Sequence, residues 1–259
     1  MLYIGMMWWH EDELPLLQLR AHERPQIEHV LRIAQATTTF RGSPREVSGT
    51  PLVEIPDADV VTVDTSQVVG AGEPKCAARR RLQRNATFPD KLYPDDVFIF
   101  TDLDEVVHRE DWTGIVAAAR RQGFIRLRMR NYAGKINQYL GNKWAAPFAV
   151  TGKFVRTLPK AQRAVDALRR RRGRLRGRVY PVQGQHFSWL VPDDDWSFVE
   201  QKDANNSHPK LSGRWPRMLP NGQSGKGVAF KVVPVDDTYP SGILENLDTW
   251  RPYIACPSS

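Results

Sequence analysis

Asp95-Asp96-Val97-Phe98-Ile99-Phe100-Thr101-Asp102-Leu103-Asp104-Glu105 is the stretch on which the fold turns. Its four consecutive apolar side chains read as a strand buried on both faces, because a half-buried strand would alternate. Three acids then follow within four residues. On an extended segment residues i and i+2 point the same way, so Asp102 and Asp104 can face one cation. Clustering carboxylates behind a buried strand is costly unless something positive binds there. The carboxyl ends of strands are also where open α/β sheets place their ligands. A hard divalent ion, Mn²⁺ or Mg²⁺, is therefore expected, with room left for water and phosphates. Asp57-Ala58-Asp59 and Asp193-Asp194-Asp195 share the spacing but lie by Pro-containing turns, and read as turn or cap residues.

Working outward, Ile27 to Ala34 reads as a strand followed by a turn at Thr37 to Gly42, and Asp59 to Val63 as a second, β-branched strand. Pro74 to Asn85 reads as a helix with Pro at its start. Trp112 to Gln122 is helical with Gly123 as its stop. Phe124 to Arg130 alternates apolar and basic residues, which predicts a strand with one wet or anion-facing side. Strand, helix, buried strand, helix, strand is the pattern of an α/β layered domain. Ala161 to Arg172 is expected to be a helix running into Gly173, and the Pro-rich tail from Lys231 to be largely irregular. No repeat or long linker is seen, so residues 1–259 are expected to form a single domain.

The composition sets limits. In 259 residues, 41% are apolar and 10% aromatic, too much bulk to leave solvated, which excludes global disorder. The longest apolar runs fall far short of the roughly 20 residues a bilayer needs. The opening Met1 to Glu13 has no basic n-region, so no signal peptide is read, and Cys76 and Cys256 form no disulfide framework. Reduced thiols in a cytoplasmic protein are expected. The net charge is +8, and Lys160 to Arg178 holds nine basic residues against one acid. Setting that segment aside leaves 28 charges of each sign, so the chain is a near-neutral globule with one cationic segment. The segment is either a solvated helix end or a surface for phosphates, nucleic acid or another anion.

The remaining chemistry is sparse. His10, His22, His29 and His108 have no partner pattern. His186, in Gly184-Gln185-His186-Phe187-Ser188-Trp189, and His208, in Ser207-His208, lie where a second half can fold back over the strand end. Spacing alone leaves metal and structural roles open for both. Gly222 to Gly227 lacks the strand and spacing of a phosphate loop and reads as a turn.

In order along the chain, these segments resemble glycosyltransferase family 17, the family of the bisecting β-1,4-mannosyl-glycoprotein N-acetylglucosaminyltransferase. The matching residues are Asp12-Glu13-Leu14 with Leu17, Leu19 and Arg20, then Thr39-Phe40-Arg41-Gly42. Thr101-Asp102-Leu103-Asp104-Glu105, Leu127 to Tyr132, Trp144, Gly184 to Trp189 and Ser207-His208 continue the match. Gln35, Gln185 and Val107 depart from the family pattern, and the basic insert at 160–178 has no counterpart in it. The resemblance implies a GT-A-like, Rossmann-like layered domain around a mixed, mostly parallel sheet. It implies inverting transfer of a sugar, such as N-acetylglucosamine, from a nucleotide-sugar donor, a UDP-sugar, to a hydroxyl of a glycan or other acceptor. Its metal ligands would come from Asp102, Asp104, His186 and His208. Donor contacts would come from Thr39, Arg79, Arg80, Asp102, Arg128, Arg130 and Trp189. The base would be Glu105 or Asp194, with Asp193, Asp195 and Glu200 as alternatives, and Tyr132, Trp144 and Trp189 suit stacking or the core.

Two other readings compete. A haloacid-dehalogenase-type phosphatase also carries an Asp-x-Asp after an apolar strand, with the first Asp as nucleophile, although usually near the chain start. A nucleic-acid-binding protein would use Lys160 to Arg178, and would leave the acids at 102–105 without a purpose.

Overall fold

The computed structural model describes residues 1–8, 11–68, 74–170, 179–193, 195, 197–204, 214–221, 223 and 227–256. In chain order the strands are β1 (Leu2–Met7), β2 (His29–Ala36), β3 (Asp59–Val63), β4 (Val97–Phe100), β5 (Glu105–Val107), β6 (Phe124–Ala133), β7 (Gln138–Trp144), β8 (Phe148–Thr151), β9 (Val179–Ser188) and β10 (Lys231–Val232). The helices that matter here are α1 (Leu14–His22), α2 (Thr50–Glu54), α3 (Lys75–Ala86), α4 (Trp112–Gln122), α5 (Gly152–Arg156), α6 (Val165–Arg170) and α7 (Ser197–Ala204).

The sheet runs β10-β7-β6-β8-β4-β1-β2-β3, with β9 beside β6 and β5 beside β9. β3, β2, β1 and β4 form a parallel block. Following the ladders outward, seven of these ten strands point one way, and β5, β7 and β8 the other. The architecture is the mixed, mostly parallel α/β sheet expected.

β4 sits at the centre and is buried throughout. Because successive side chains leave a strand on opposite faces, its residues divide between two cores. Val97 and Ile99 join a cluster with Leu2, Ile4, Leu17 and Ile115, while Phe98 and Phe100 pack with Phe124, Phe148 and Val150. A strand serving two cores has no room for a polar position, which is why its sequence is a continuous apolar run.

β3, β4 and α4 have the expected bounds, and α3 is shifted by one residue. Gly123 ends α4 at φ +79, in the left-handed region that glycine tolerates. β2 lies two residues further on than its apolar run suggests, because its ladder with β3 continues to Ala36 opposite Val63. β1 is the central strand that pattern reading misses. Gly5 interrupts its apolar run, and a Cβ there would come 2.7 Å from Thr87 Oγ1, so packing demands the residue that weakens the strand signal.

The helix expected over 161–172 is broken into a 3₁₀ turn at Lys160–Gln162 and α6. Between them Arg163 turns back to donate to the carbonyls of Leu158 and Arg156. Residues 171 and 172 lie outside the described residues. The tail is less irregular than its prolines suggest. It adds β10 to the edge of β7 and forms short helices at Ser241–Leu244 and Leu247–Trp250. Among the described residues no helix is long and apolar enough to cross a membrane.

Candidate active site

The parallel strands β1 to β4 share one carboxyl edge, and the acidic turn continues from β4 at that edge. Arg20, from α1, holds the turn from beneath. Its guanidinium donates to the Glu105 carbonyl at 2.6 Å and to Thr101 Oγ1 at 2.7 Å. Burial pushes its pKa down to about 10, against the pull of Glu105, Glu23 and Asp104.

The two aspartates have different surroundings. One oxygen of Asp102, Oδ2, accepts from Arg84 at 2.8 Å and from Arg169 at 2.7 Å. Burial raises the Asp102 carboxyl, but Arg169 and Arg84 outweigh it and hold the pKa at about 2. Its Oδ1 is buried without a hydrogen-bond partner among the described residues. Glu105 is fully buried. Both of its oxygens are taken by Arg169, at 3.0 and 2.7 Å, by the backbone N–H of Asp102 at 2.6 Å and by the Trp144 indole N–H. Burial lowers the Arg169 pKa, but Asp102 and Glu105 more than reverse this and carry it above the ordinary value. Both guanidiniums also lie near the Phe100 ring, 5.3 and 5.9 Å from its centroid.

Asp104 faces elsewhere. Its carboxylate has no hydrogen bond among the described residues, and its Oδ2 lies 3.6 Å from His186 Nε2. The sheet makes this meeting. β5 pairs with β9 so that Glu105 stands opposite His186, and β6 places Asn131 opposite His186 on the other side. His186 Nδ1 donates to Asn131 Oδ1 at 2.8 Å, and the Ser188 hydroxyl lies 2.9 Å from Nε2. The Trp144 ring stacks on the imidazole with centroids 4.2 Å apart and planes at 10°.

Among the described residues, no three His, Cys, Asp or Glu side chains converge closely enough to cage a metal ion. The residues fit a site with fewer protein ligands. Asp104 and His186 offer an oxygen and an oriented nitrogen, and Asn131 fixes the tautomer, as a second shell does in metal sites. Asp102 is the ligand that does not fit as expected, because the oxygen nearest any cation in the structure is already shared by two arginines.

Several expected donor residues are occupied elsewhere. The Thr39 hydroxyl accepts from Gly42 and Ser43 N–H groups and closes its own turn. Arg79 donates to the carbonyls of Phe40 and Thr65, fastening that turn to the end of β3. Arg130 donates to Thr238 in the tail. Arg128 is half-buried on β6, opposite Pro181, and bonds none of the acids among the described residues. Arg80 is half-buried, and burial and Arg84 lower its pKa while Asp166 and Asp102 oppose them. Trp189 lies just past β9 at φ +58, with the Lys202 ammonium 5.7 Å from its ring centroid. Glu105, expected as a base, has no oxygen open to an acceptor, because each is already bonded. Asp194 and His208 lie outside the described residues, as do residues 171–178 of the basic run.

Arg20, Arg84 and Arg169 are the site residues whose roles sequence reading misses. Arg84 stands one helical turn after Arg80 on α3, a spacing that puts both on one face. Arg169 carries no such signal, being one of several arginines in the basic insert. Within the described part of that insert, the buried Arg169 serves the acidic turn, while Lys160 and Arg163 are exposed. The phosphatase reading fares poorly, since Asp102 would have to attack from between two guanidiniums.

No family profile and no curated protein sequence matches this chain. Among solved structures it is similar to S. aureus TarS 1-349, at 12% identity over 50% of this chain and 36% of that one, with a TM-score of 0.31. It is also similar to mouse xyloside xylosyltransferase 1, at 14% identity over 65% of this chain and 74% of that one, with a TM-score of 0.33. This chain thus spans about a third of the TarS chain. Superpositions this loose establish neither a shared activity nor a shared ligand.

Proposed function

We propose that this protein is a metal-dependent, inverting glycosyltransferase, moving a sugar from a nucleotide-sugar donor to a hydroxyl acceptor. The observation that carries the reading is the approach of Asp104 to His186 at the carboxyl edge of a parallel block. Residues 82 positions apart in the chain are brought together there, with one nitrogen oriented by Asn131. A divalent cation bound by them would act as a Lewis acid on the leaving diphosphate. Mn²⁺ suits the pair better than Mg²⁺, because imidazole is a poorer ligand for the harder ion.

The protein's own part is orientation and charge. Arg20 fixes the backbone of the turn, Arg169 and Arg84 fix Asp102, and Asn131 with Trp144 fixes the imidazole. The order of sequence motifs supports the donor as a UDP-sugar, with N-acetylglucosamine as the sugar and a glycan as acceptor. Direct displacement with inversion needs a carboxylate on the acceptor side. The test is turnover of UDP-N-acetylglucosamine with Mn²⁺, by wild type and by the Asp104→Ala variant. Turnover lost in the variant and in excess chelator supports the reading, and full turnover in either overturns it.

A further inference from the structure

At the amino end of β4, away from the acidic turn, three chain segments meet in one surface. Thr151 ends β8 opposite Val97, and its N–H donates to the Gly123 carbonyl at 2.8 Å, so the last turn of α4 meets the first turn of α5. The Lys153 N–H reaches the Pro94 carbonyl at 2.9 Å, and the Arg156 guanidinium the Leu92 carbonyl at 3.4 Å, which joins the loop before β4 to α5. Arg163 folds back onto the Arg156 carbonyl at 3.2 Å.

Each segment brings exposed cations. The loop carries Lys91, α4 ends on Arg120 and Arg121, and α5 carries Lys153 and Arg156. The turn after α5 adds Lys160 and Arg163. None of these side chains has an ion pair among the described residues, whereas Arg24, Arg32 and Arg109 elsewhere are each matched by an acid. The same segments hold two acids. Asp96 is buried and accepts the Tyr93 N–H at 2.8 Å, which leaves Asp95 as the exposed one. The α4 dipole accounts for Arg120 and Arg121. It does not account for Lys91 or Lys160, and Lys153 stands in the first turn of α5, where a dipole opposes it. Unmatched like charges on one surface attract an anionic partner.

Two features choose among such partners. Tyr93 is 50% exposed in the same loop, and an aromatic ring beside cations suits a headgroup layer, anionic outside and apolar beneath. The Lys91 ammonium lies 4.7 Å from the ring centroid, over a face on which a nucleic-acid base would stack. The cations also come from a loop, a helix end and a short helix, so no single element is shaped to enter a groove.

We propose that this end of the molecule docks on an anionic lipid surface, with the cations among the headgroups and Tyr93 at the boundary. The acidic turn, roughly 13 Å of strand away at the other end of β4, then faces away from the lipid.

Flotation with vesicles of phosphatidylcholine, alone or with about one-third phosphatidylserine, tests this at about 0.1 M salt. The wild type should float with the anionic vesicles, stay down with the neutral ones, and be released at high salt. Each cation near a charged lipid surface strengthens binding about fivefold. The combined variant Arg120→Gln, Arg121→Gln, Lys153→Gln should therefore bind about 100-fold more weakly. Lys75→Gln, Lys143→Gln, Lys231→Gln removes the same charge from exposed positions elsewhere, and should float as the wild type does. Tyr93→Ala should weaken binding severalfold without changing its salt dependence. Fluorescence anisotropy with a labelled oligonucleotide, single-stranded and duplex, runs alongside. Equal flotation of the two triple variants overturns the proposal, as does a wild type that stays down with anionic vesicles. An oligonucleotide bound more tightly than the vesicles, and lost in the Arg120, Arg121, Lys153 variant, would give the face to nucleic acid and overturn it as well.

Discussion

The two flanks of the acidic turn are built on opposite principles. On one, Asp102 and Glu105 are matched by Arg84 and Arg169, and all but one of their four carboxylate oxygens is bonded within the protein. On the other, Asp104 faces an imidazole nitrogen at 3.6 Å and its carboxylate has no hydrogen bond among the described residues. The acids look alike in sequence, yet the protein supplies counter-charges to one flank and leaves the other to be completed by what binds. Charge that a fold neutralises internally is scaffold, and charge that it leaves facing a pocket is chemistry.

This contrast can be broken by substitution. Asp104→Ala has the largest expected effect, loss of Mn²⁺-dependent nucleotide-sugar turnover by more than 100-fold in an initial-rate assay. Its stability should stay within about 0.5 kcal/mol of wild type, because among the described residues the side chain makes no hydrogen bond to lose. Arg169→Met should behave in the opposite way. Removing one partner from a buried ion pair costs about 3–5 kcal/mol, a loss that urea denaturation would register directly.

Two finer tests separate the flanks further. Asn131→Leu releases the ring that sets the His186 tautomer, and should weaken Mn²⁺ binding by about 10–100-fold in a titration followed by electron paramagnetic resonance. Asp102→Asn should cost about 2 kcal/mol at neutral pH, from a carboxyl held at about 2 against an ordinary value of 3.8. Because that pKa is depressed on folding, the contribution is fully present above about pH 4 and is lost as the pH falls through about 2. In metal-free protein the stabilities of wild type and variant should therefore converge over that window. A gap that persists at pH 2 would contradict the arginine-held state of Asp102.

Much of this scaffold was legible in the chain. β4 and the acids behind it could be read because a doubly buried strand leaves a continuous apolar run, and α4 because Gly123 marks its end. β1 could not, since the close approach of Thr87 requires Gly5 in its middle. The site was legible only in parts. Asp104 and His186 were both picked out by type, but their meeting depends on the register of β5 against β9 and of β9 against β6, which no local pattern encodes. Arg169 stayed hidden because a buried guanidinium and a solvated one have the same sequence signature until their partners are in place.

The most direct test is anomalous diffraction at the manganese edge, from crystals soaked with MnCl₂ and UDP. The account predicts a peak between the Asp104 carboxylate and His186 Nε2, with Arg84 and Arg169 still on Asp102. A peak seated on Asp102 with both arginines displaced, or no peak at the edge of the sheet, would contradict it.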